Sequence, residues 1–185
     1  MLAGGASRRM GRDKLRLEVG GEPLLLRACR AAGAVCGELI VAGRAAEVPG
    51  ARAVGDLRPG REGPLAGVES GLAAARHPRV LVVAGDMPFL SPELLRYLLE
   101  RPAAAAVPLP GGRLQPLCAA YDRGLLPLVR EALDRGERSM RRFLESVEDV
   151  EYVEEEVLRG FGDPGVLLMN VNTPADLETA RRLAG

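Results

Sequence analysis

The chain has 185 residues, 47% of them hydrophobic and 27% charged, with 25 basic and 25 acidic side chains for a formal net charge of zero. That balance excludes the one-signed surface of a nucleic-acid or membrane-binding protein and fits one globular domain over residues 1–185 with a full core. No apolar run approaches the ~20 residues that span a bilayer and no signal peptide precedes the first glycines, so the expected setting is the cytoplasm, with no membrane or nucleic acid as partner.

From the amino end, the glycine-dense stretch Leu2-Ala-Gly-Gly-Ala-Ser-Arg-Arg-Met-Gly-Arg-Asp-Lys14 leads into a strand-like run over 15–19 and the pair Gly20-Gly21. Apolar runs over 39–42, 51–54, 80–84, 104–107, 117–121, 150–153 and 166–169 read as strands. Between them, residues 23–32, 64–76, 92–100, 124–135, 139–147 and 174–183 read as helices. Ser91-Pro92 and Thr173-Pro174 are cap-plus-proline starts, and Asp176 suits the first turn of the last helix. The alternation predicts an α/β layered fold with a mostly parallel sheet. The turn Pro108-Leu-Pro-Gly-Gly112 between two strands predicts a short antiparallel hairpin within it.

A phosphate-binding loop in such a sheet follows a first strand of about five residues. Here only Met1, Leu2 and Ala3 precede Gly4, so the expectation is a start further upstream or a stub for the first strand.

Scarcity points to the chemistry. Lys14 is the only lysine among 25 basic residues, Gln115 the only glutamine, and Asn170 and Asn172 the only asparagines. A compact ammonium beside a glycine loop suits a polyphosphate in a way the planar arginine fork does not. The loop is neither a Walker A sequence nor a GxGxxG fingerprint. A solvated basic loop accounts for Arg8, Arg9 and Arg12 singly as well as ligand contact does. Asp86 follows the uninterrupted apolar run 80–84, at the strand end where open α/β sheets place ligands, and Pro88 stiffens its turn. A carboxylate there can hold one face of Mg²⁺. Asp56 also ends a strand and leads into a loop rich in proline and glycine; a surface acid and a nucleotide contact remain open for it. Asn170 and Asn172, two apart after a predicted strand, would share one face, with capping of the final helix as the alternative for Asn172.

Cys29, Cys36 and Cys118 show no CxxC spacing and have one histidine, His77, to help them, which argues against a zinc site or a disulfide framework. Each thiol is expected to be a small buried hydrophobe, and His77 a loop residue.

The N-terminal loop, Gly63-Pro-Leu-Ala-Gly-Val-Glu-Ser-Gly-Leu72, Gly85-Asp-Met-Pro88 and Asn170-Val-Asn-Thr-Pro-Ala-Asp-Leu177 follow one another over nearly the whole chain. Together they resemble the motifs of nucleotidyltransferases that fold like the sugar-nucleotide pyrophosphorylases, and in detail the molybdenum cofactor guanylyltransferases. The resemblance implies a three-layer, Rossmann-like nucleotide-diphospho-sugar transferase fold. It implies transfer of GMP from GTP-Mg²⁺ to the terminal phosphate of molybdopterin, releasing pyrophosphate and forming molybdopterin guanine dinucleotide. It further implies that Leu2, Ala3, Gly4, Gly5 and Lys14 hold the triphosphate, that Asp56 contacts the nucleotide and that Asp86 binds the metal. Asn170 or Asn172 would help hold metal or second substrate, and Gln115 would line the acceptor side. Molybdoenzyme maturation proteins are the further partners it suggests. Relatives often carry an asparagine after the second strand, where this chain has Ala42-Gly43-Arg44. The alternatives are a cytidylyltransferase using CTP on the same pterin, a sugar-phosphate nucleotidyltransferase, or a non-catalytic nucleotide or pterin carrier. The resemblance disfavours the CTP version, whose members tend to read Leu-Ala-Ala-Gly in the first loop and lack Pro-Leu-Ala-Gly. A pure carrier needs neither the Lys14 loop nor Asp86.

Overall fold

Short apolar runs become strands covered on both faces, and leucine–alanine stripes at helical spacing become the covers. The computed structural model describes residues 1–2, 14–43, 48–58 and 63–185. After a 3₁₀ turn at Lys14–Arg16, the two-residue strands β1 (Glu18–Val19) and β2 (Glu22–Pro23) form a tight antiparallel hairpin. Its turn is Gly20-Gly21, both at positive φ, 60° and 75°, as a right-twisted two-residue hairpin demands. There follow α1 (Leu24–Gly33), β3 (Ile40–Ala42), β4 (Arg52–Val54), α2 (Gly63–Ala74), β5 (Arg79–Val83), α3 (Pro92–Leu99), β6 (Ala105–Leu109) and β7 (Cys118–Asp122). The chain ends with α4 (Leu126–Asp134), α5 (Met140–Glu145), β8 (Val150–Glu154), α6 (Glu155–Leu158), α7 (Pro164–Leu167) and α8 (Pro174–Ala184).

β3 pairs with β4 in parallel, and a second group runs β5-β7-β6-β8. Met1 and Leu2 join the two. Leu2 bridges in parallel to both Ala42 and Ala84. Its N–H donates to the Val83 carbonyl at 2.8 Å, and the Met1 carbonyl accepts from the Ala42 N–H at 2.9 Å. Met1 and Leu2, the described part of this first strand (hereafter the stub), thus lie in the middle of the sheet. Strand order is β4-β3-stub-β5-β7-β6-β8, with β7 running against its neighbours and β8 parallel to β6. This is the mostly parallel sheet with an antiparallel hairpin, β6 to β7, that the sequence predicts.

On the amino side of Met1, β3 and β5 line a partly open cavity of about 330 Å³. Ile40, Val80 and Leu81 line it from the strands, Val68 and Gly71 from α2, and Leu99 from α3. The Met1 amine donates to the Ile40 carbonyl at 2.9 Å, and burial pushes its pKa below the ordinary 8.0.

Alternate residues of the strands serve opposite layers. Val83, Ala106, Cys118 and Ala120 pack with Leu25 of α1 and Leu94, Leu95 and Leu98 of α3. Val82, Ala105, Val107, Ala119 and Tyr121 pack with α2, α4 and α5. A smaller cluster seats Val171, Leu177 and Ala180 against Val19 and Leu24, tying α8 to the hairpin. Helix–sheet–helix is the three-layer arrangement. Among the described residues no helix is long and apolar enough to cross a membrane.

The predicted strand over 166–169 is instead the end of helix α7 and the turn that follows it. Asp163 caps it, accepting from the Gly165 N–H at 2.8 Å with Pro164 in the first turn. The buried residues Pro164, Leu167 and Leu168 fall at i, i+3 and i+4, a helical stripe. The predicted strand over 15–19 keeps only Glu18 and Val19 extended. Cys29 and Cys118 are buried as expected, whereas Cys36 is half-exposed, and all three are free thiols. Exposed His77 lies in a loop.

Candidate active site

Parallel strands end together, and the turns leaving those ends form a cleft. Asp86 leaves β5 by such a turn and is 9% exposed. Two supports hold the turn. Arg27 of α1 donates from Nε to the Pro88 carbonyl at 3.1 Å and from Nη1 to the Val19 carbonyl at 3.0 Å, with its guanidinium 5.8 Å from the centre of the Phe89 ring. From the other side, the Val171 N–H donates to the Asp86 carbonyl at 2.9 Å. That bond brings the 170–172 segment to Asp86.

The Gly85 N–H donates to the Leu2 carbonyl at 3.2 Å, so the entry to the glycine loop and the Asp86 turn are one unit. A Cβ at Gly85 would lie 2.9 Å from Leu25 Cδ1, 3.3 Å from Leu15 Cδ2 and 3.4 Å from the Leu2 carbonyl oxygen. Glycine is required by close approach on three sides, in a motif whose sequence shows only a strand end.

Asp56 leaves β4 at the same sheet edge, exposed to solvent. The Gly43 N–H donates to the Val54 carbonyl at 3.2 Å, so the backbone just after β3 contributes to the β3–β4 pairing. Beyond Asp56, the Leu57 N–H donates to Ser70 Oγ at 3.2 Å. Arg58 reaches Glu69 Oε2 at 2.8 Å and Asp134 Oδ1 at 2.7 Å. Arg27, Arg58, Glu69 and Ser70 were not distinguishable in the sequence. Arginine is the chain's usual cation, and the Arg58–Asp134 pair spans 76 residues.

Gln115 stands three residues before β7, at the cleft edge because β7 runs backwards. Its N–H donates to the Pro108 carbonyl at 2.9 Å, its carbonyl accepts from Cys118 at 3.0 Å, and Tyr121 Oη donates to the adjacent Pro116 carbonyl at 2.8 Å.

Of the residues expected from the sequence, Leu2, Asp56, Asp86, Gln115, Asn170 and Asn172 are thus set along one sheet edge. Ala3, Gly4 and Gly5 lie outside the described residues, and of Lys14 only the backbone is described. The basis expected for the asparagine pair, a strand ending at residue 169, is absent. Asn170 is half-buried and donates from Nδ2 to the Leu168 carbonyl at 3.2 Å. Exposed Asn172 offers its N–H to Asp176 Oδ2 at 2.9 Å, while Thr173, not Asn172, caps α8.

Among the described residues no three His, Cys, Asp or Glu side chains gather as a metal cage. One buried carboxylate at a strand end fits a hard divalent cation that takes its other oxygens from phosphate and water. It does not fit zinc, which draws three or four ligands from the protein.

A family model described as the MobA-like NTP transferase domain matches residues 1–151. A probable molybdenum cofactor guanylyltransferase of Pelotomaculum thermopropionicum is 43% identical over 189 residues, covering 100% of this chain and 91% of its own. A molybdenum cofactor guanylyltransferase of Pseudomonas putida is 37% identical over 175 residues, covering 89% and 92%. Among solved structures, molybdopterin-guanine dinucleotide biosynthesis protein A of Archaeoglobus fulgidus superposes with a TM-score of 0.82 at 27% identity over 98% of this chain and 95% of that one. The 2-C-methyl-D-erythritol 4-phosphate cytidylyltransferase of Thermus thermophilus gives 0.71 at 28% identity over 92% and 93%. The stub-centred sheet, the buried carboxylate after β5 and relatives matched end to end agree: this chain is a nucleotidyltransferase, and it belongs to the molybdenum cofactor guanylyltransferases within the MobA-like NTP transferase family.

Proposed function

We propose that the chain, as one nucleotidyltransferase domain, transfers GMP from GTP to the terminal phosphate of molybdopterin. Pyrophosphate is released and molybdopterin guanine dinucleotide forms. The observation that carries the reading is buried Asp86, joined by backbone hydrogen bonds through Gly85 to Leu2 and directly to Val171.

The acceptor phosphate is already a nucleophile, so the protein's task is to position it in line with the α-phosphorus and to neutralise charge. We assign the triphosphate to the backbone N–H groups of Ala3, Gly4 and Gly5 and to the Lys14 ammonium; Leu2 anchors the start of that loop, its own N–H being bonded to the Val83 carbonyl. Asp86 holds Mg²⁺, which when bound neutralises the charge that grows on the departing pyrophosphate. Asn170 or Asn172 would help hold the metal or the second substrate, and Gln115 would line the acceptor side. The Asp56 carboxylate accepts from N1–H and the 2-amino group of guanine, a pair of donors that cytosine lacks.

Pyrophosphate release with molybdopterin and each of the four nucleoside triphosphates tests this. GTP alone should support turnover. Release with CTP alone would replace the base assignment, and no release with any nucleotide would favour a carrier.

A further inference from the structure

Asp56 is exposed and sits in a turn, yet a side chain that discriminates one base must be held in place. The turn has two fixed ends. Before it, Val54 pairs with Ala42 in the β3–β4 ladder. After it, the Leu57 N–H is bound by Ser70 Oγ, which itself donates to the Ala66 carbonyl at 3.1 Å and is buried, the residue being 2% exposed. The peptide joining Asp56 to Leu57 is planar, so fixing the Leu57 N–H fixes the plane that carries the Asp56 carbonyl and Cα.

Arg58 adds a second anchor. Its Nε and Nη2 meet Glu69 Oε2 and Oε1 at 2.8 and 3.4 Å, and its Nη1 meets Asp134 of α4 at 2.7 Å. Glu69 is 4% exposed, and Arg130 Nε stands 3.4 Å from its Oε1. A carboxylate buried on a packing helix gains nothing for the helix and is costly unless paired. Here it is paired with the residue two places after Asp56. The stretch 63–72, which carries one of the four motifs, therefore puts Glu69 and Ser70 beneath the turn of Asp56.

We propose that Ser70, Glu69 and Arg58 are positioning residues for base selection: they hold the turn that presents Asp56 to guanine. This rests on the reading of Asp56 as the residue that binds the base. Ser70 and Glu69 act through the turn and touch no substrate.

The test is calorimetric binding of GTP and of inosine triphosphate, which lacks the 2-amino group, each with Mg²⁺, to the full chain. Triphosphate contacts are common to both ligands, so a general loss of fold would weaken both alike. Ser70→Ala is expected to weaken GTP about fivefold, the effect of one net hydrogen bond, and inosine triphosphate, which keeps the N1–H contact but not the 2-amino one, only about twofold. Glu69→Gln should act in the same direction; if it is too unstable to measure, Ser70→Ala decides. In an Asp56→Ala background the Ser70 substitution should add nothing, since both act on one contact. Equal weakening of the two nucleotides, or additivity, overturns the proposal. If Asp56→Ala alone leaves the GTP preference intact, the base assignment falls and takes this proposal with it. If Asp56→Ala abolishes the preference and Ser70→Ala preserves it, only the positioning role is lost.

Discussion

The cavity beside Met1 is lined by residues of β3 and β5, and filling it is a quantitative test of the sheet. It lies between β3 and β5 with a helical layer on each side, so an occupant buried on both faces must be apolar throughout. Four residues extend about 13 Å as a strand. The perturbation is an amino-terminal extension of the chain by Ala-Val-Ile-Val, with Gly-Ser-Gly-Ser as the control of equal length. Filling about 330 Å³ at ~24 cal/mol per Å³ contributes at most ~8 kcal/mol. Ordering four residues costs ~6 kcal/mol, and two or so backbone hydrogen bonds add ~2 kcal/mol. The net is ~4 kcal/mol, or a rise of about 10 °C in Tm for a chain of this size. The Met1 amine supplies a second readout. Its folded pKa is lowered by burial, so between that value and the ordinary 8.0 the unfolded chain binds more protons than the folded one. Stability of the chain beginning at Met1 should therefore rise with pH up to about 8. The extension turns this amine into an amide and should remove that slope. Thermal melts from pH 6 to 9 measure both effects. A Tm no higher than that of the Gly-Ser control, or a slope that persists in the extended chain, would refute this account of the sheet.

Gly85→Ala should cost about 1–2 kcal/mol, because its Cβ meets Leu25, Leu15 and the Leu2 carbonyl together; Gly67→Ala should be near neutral, because its Cβ meets only the Leu2 side chain, which borders the cavity and can turn into it. Denaturant midpoints compare the two, and equal losses would contradict the assignment. Thr173→Ala removes one half of the α8 capping box and should cost about 1 kcal/mol, measured as a fall of some 2–4 °C in Tm. Asp86→Asn should abolish Mg²⁺-dependent pyrophosphate release while the protein stays folded; an unchanged Mg²⁺ titration would remove the metal from this residue. Gln115→Ala should raise KM for the pterin severalfold and leave GTP binding within twofold, with the reverse pattern placing Gln115 on the nucleotide side.

Most strands were legible because a run buried on both faces is apolar without interruption, and 80–84 is the clearest case. The run 166–169 is equally apolar but forms the end of a helix and the turn after it. Its signal lay upstream, in Asp163-Pro164, a cap and first-turn pair of the kind that was recognised at 91–92 and 173–174. Asp86 was legible because it follows that clear strand. Its link to Asn170 and Asn172 was not, since the joining bond is made by the backbone of Val171, a residue with no polar side chain. Scarcity singled out Lys14, Gln115 and the two asparagines as candidates, and for the same reason it passed over arginine. Arg27 and Arg58 are common residues made particular by what they meet: the Pro88 carbonyl in one case, the Glu69 carboxylate in the other.

The reversed direction of β7 explains how two substrates can share one sheet edge. Were β7 parallel, its starting residues would lie at the opposite edge from the ends of β4, β5 and β6. Being antiparallel to β5 and β6, it begins where they finish, and the Leu117 carbonyl accepts from the Ala84 N–H at 2.8 Å beside the Asp86 turn. Asp86 therefore stands between two sets of turns. On one side are the stub, β3 and β4, ending in the glycine loop and Asp56. On the other are β7, β6 and β8, bringing Gln115. A group transferred between two phosphates has to be attacked from one side and released toward the other. The strand order alone puts the carboxylate proposed to hold the metal at the boundary of those sides, so nucleotide and acceptor can approach it without competing for the same turn.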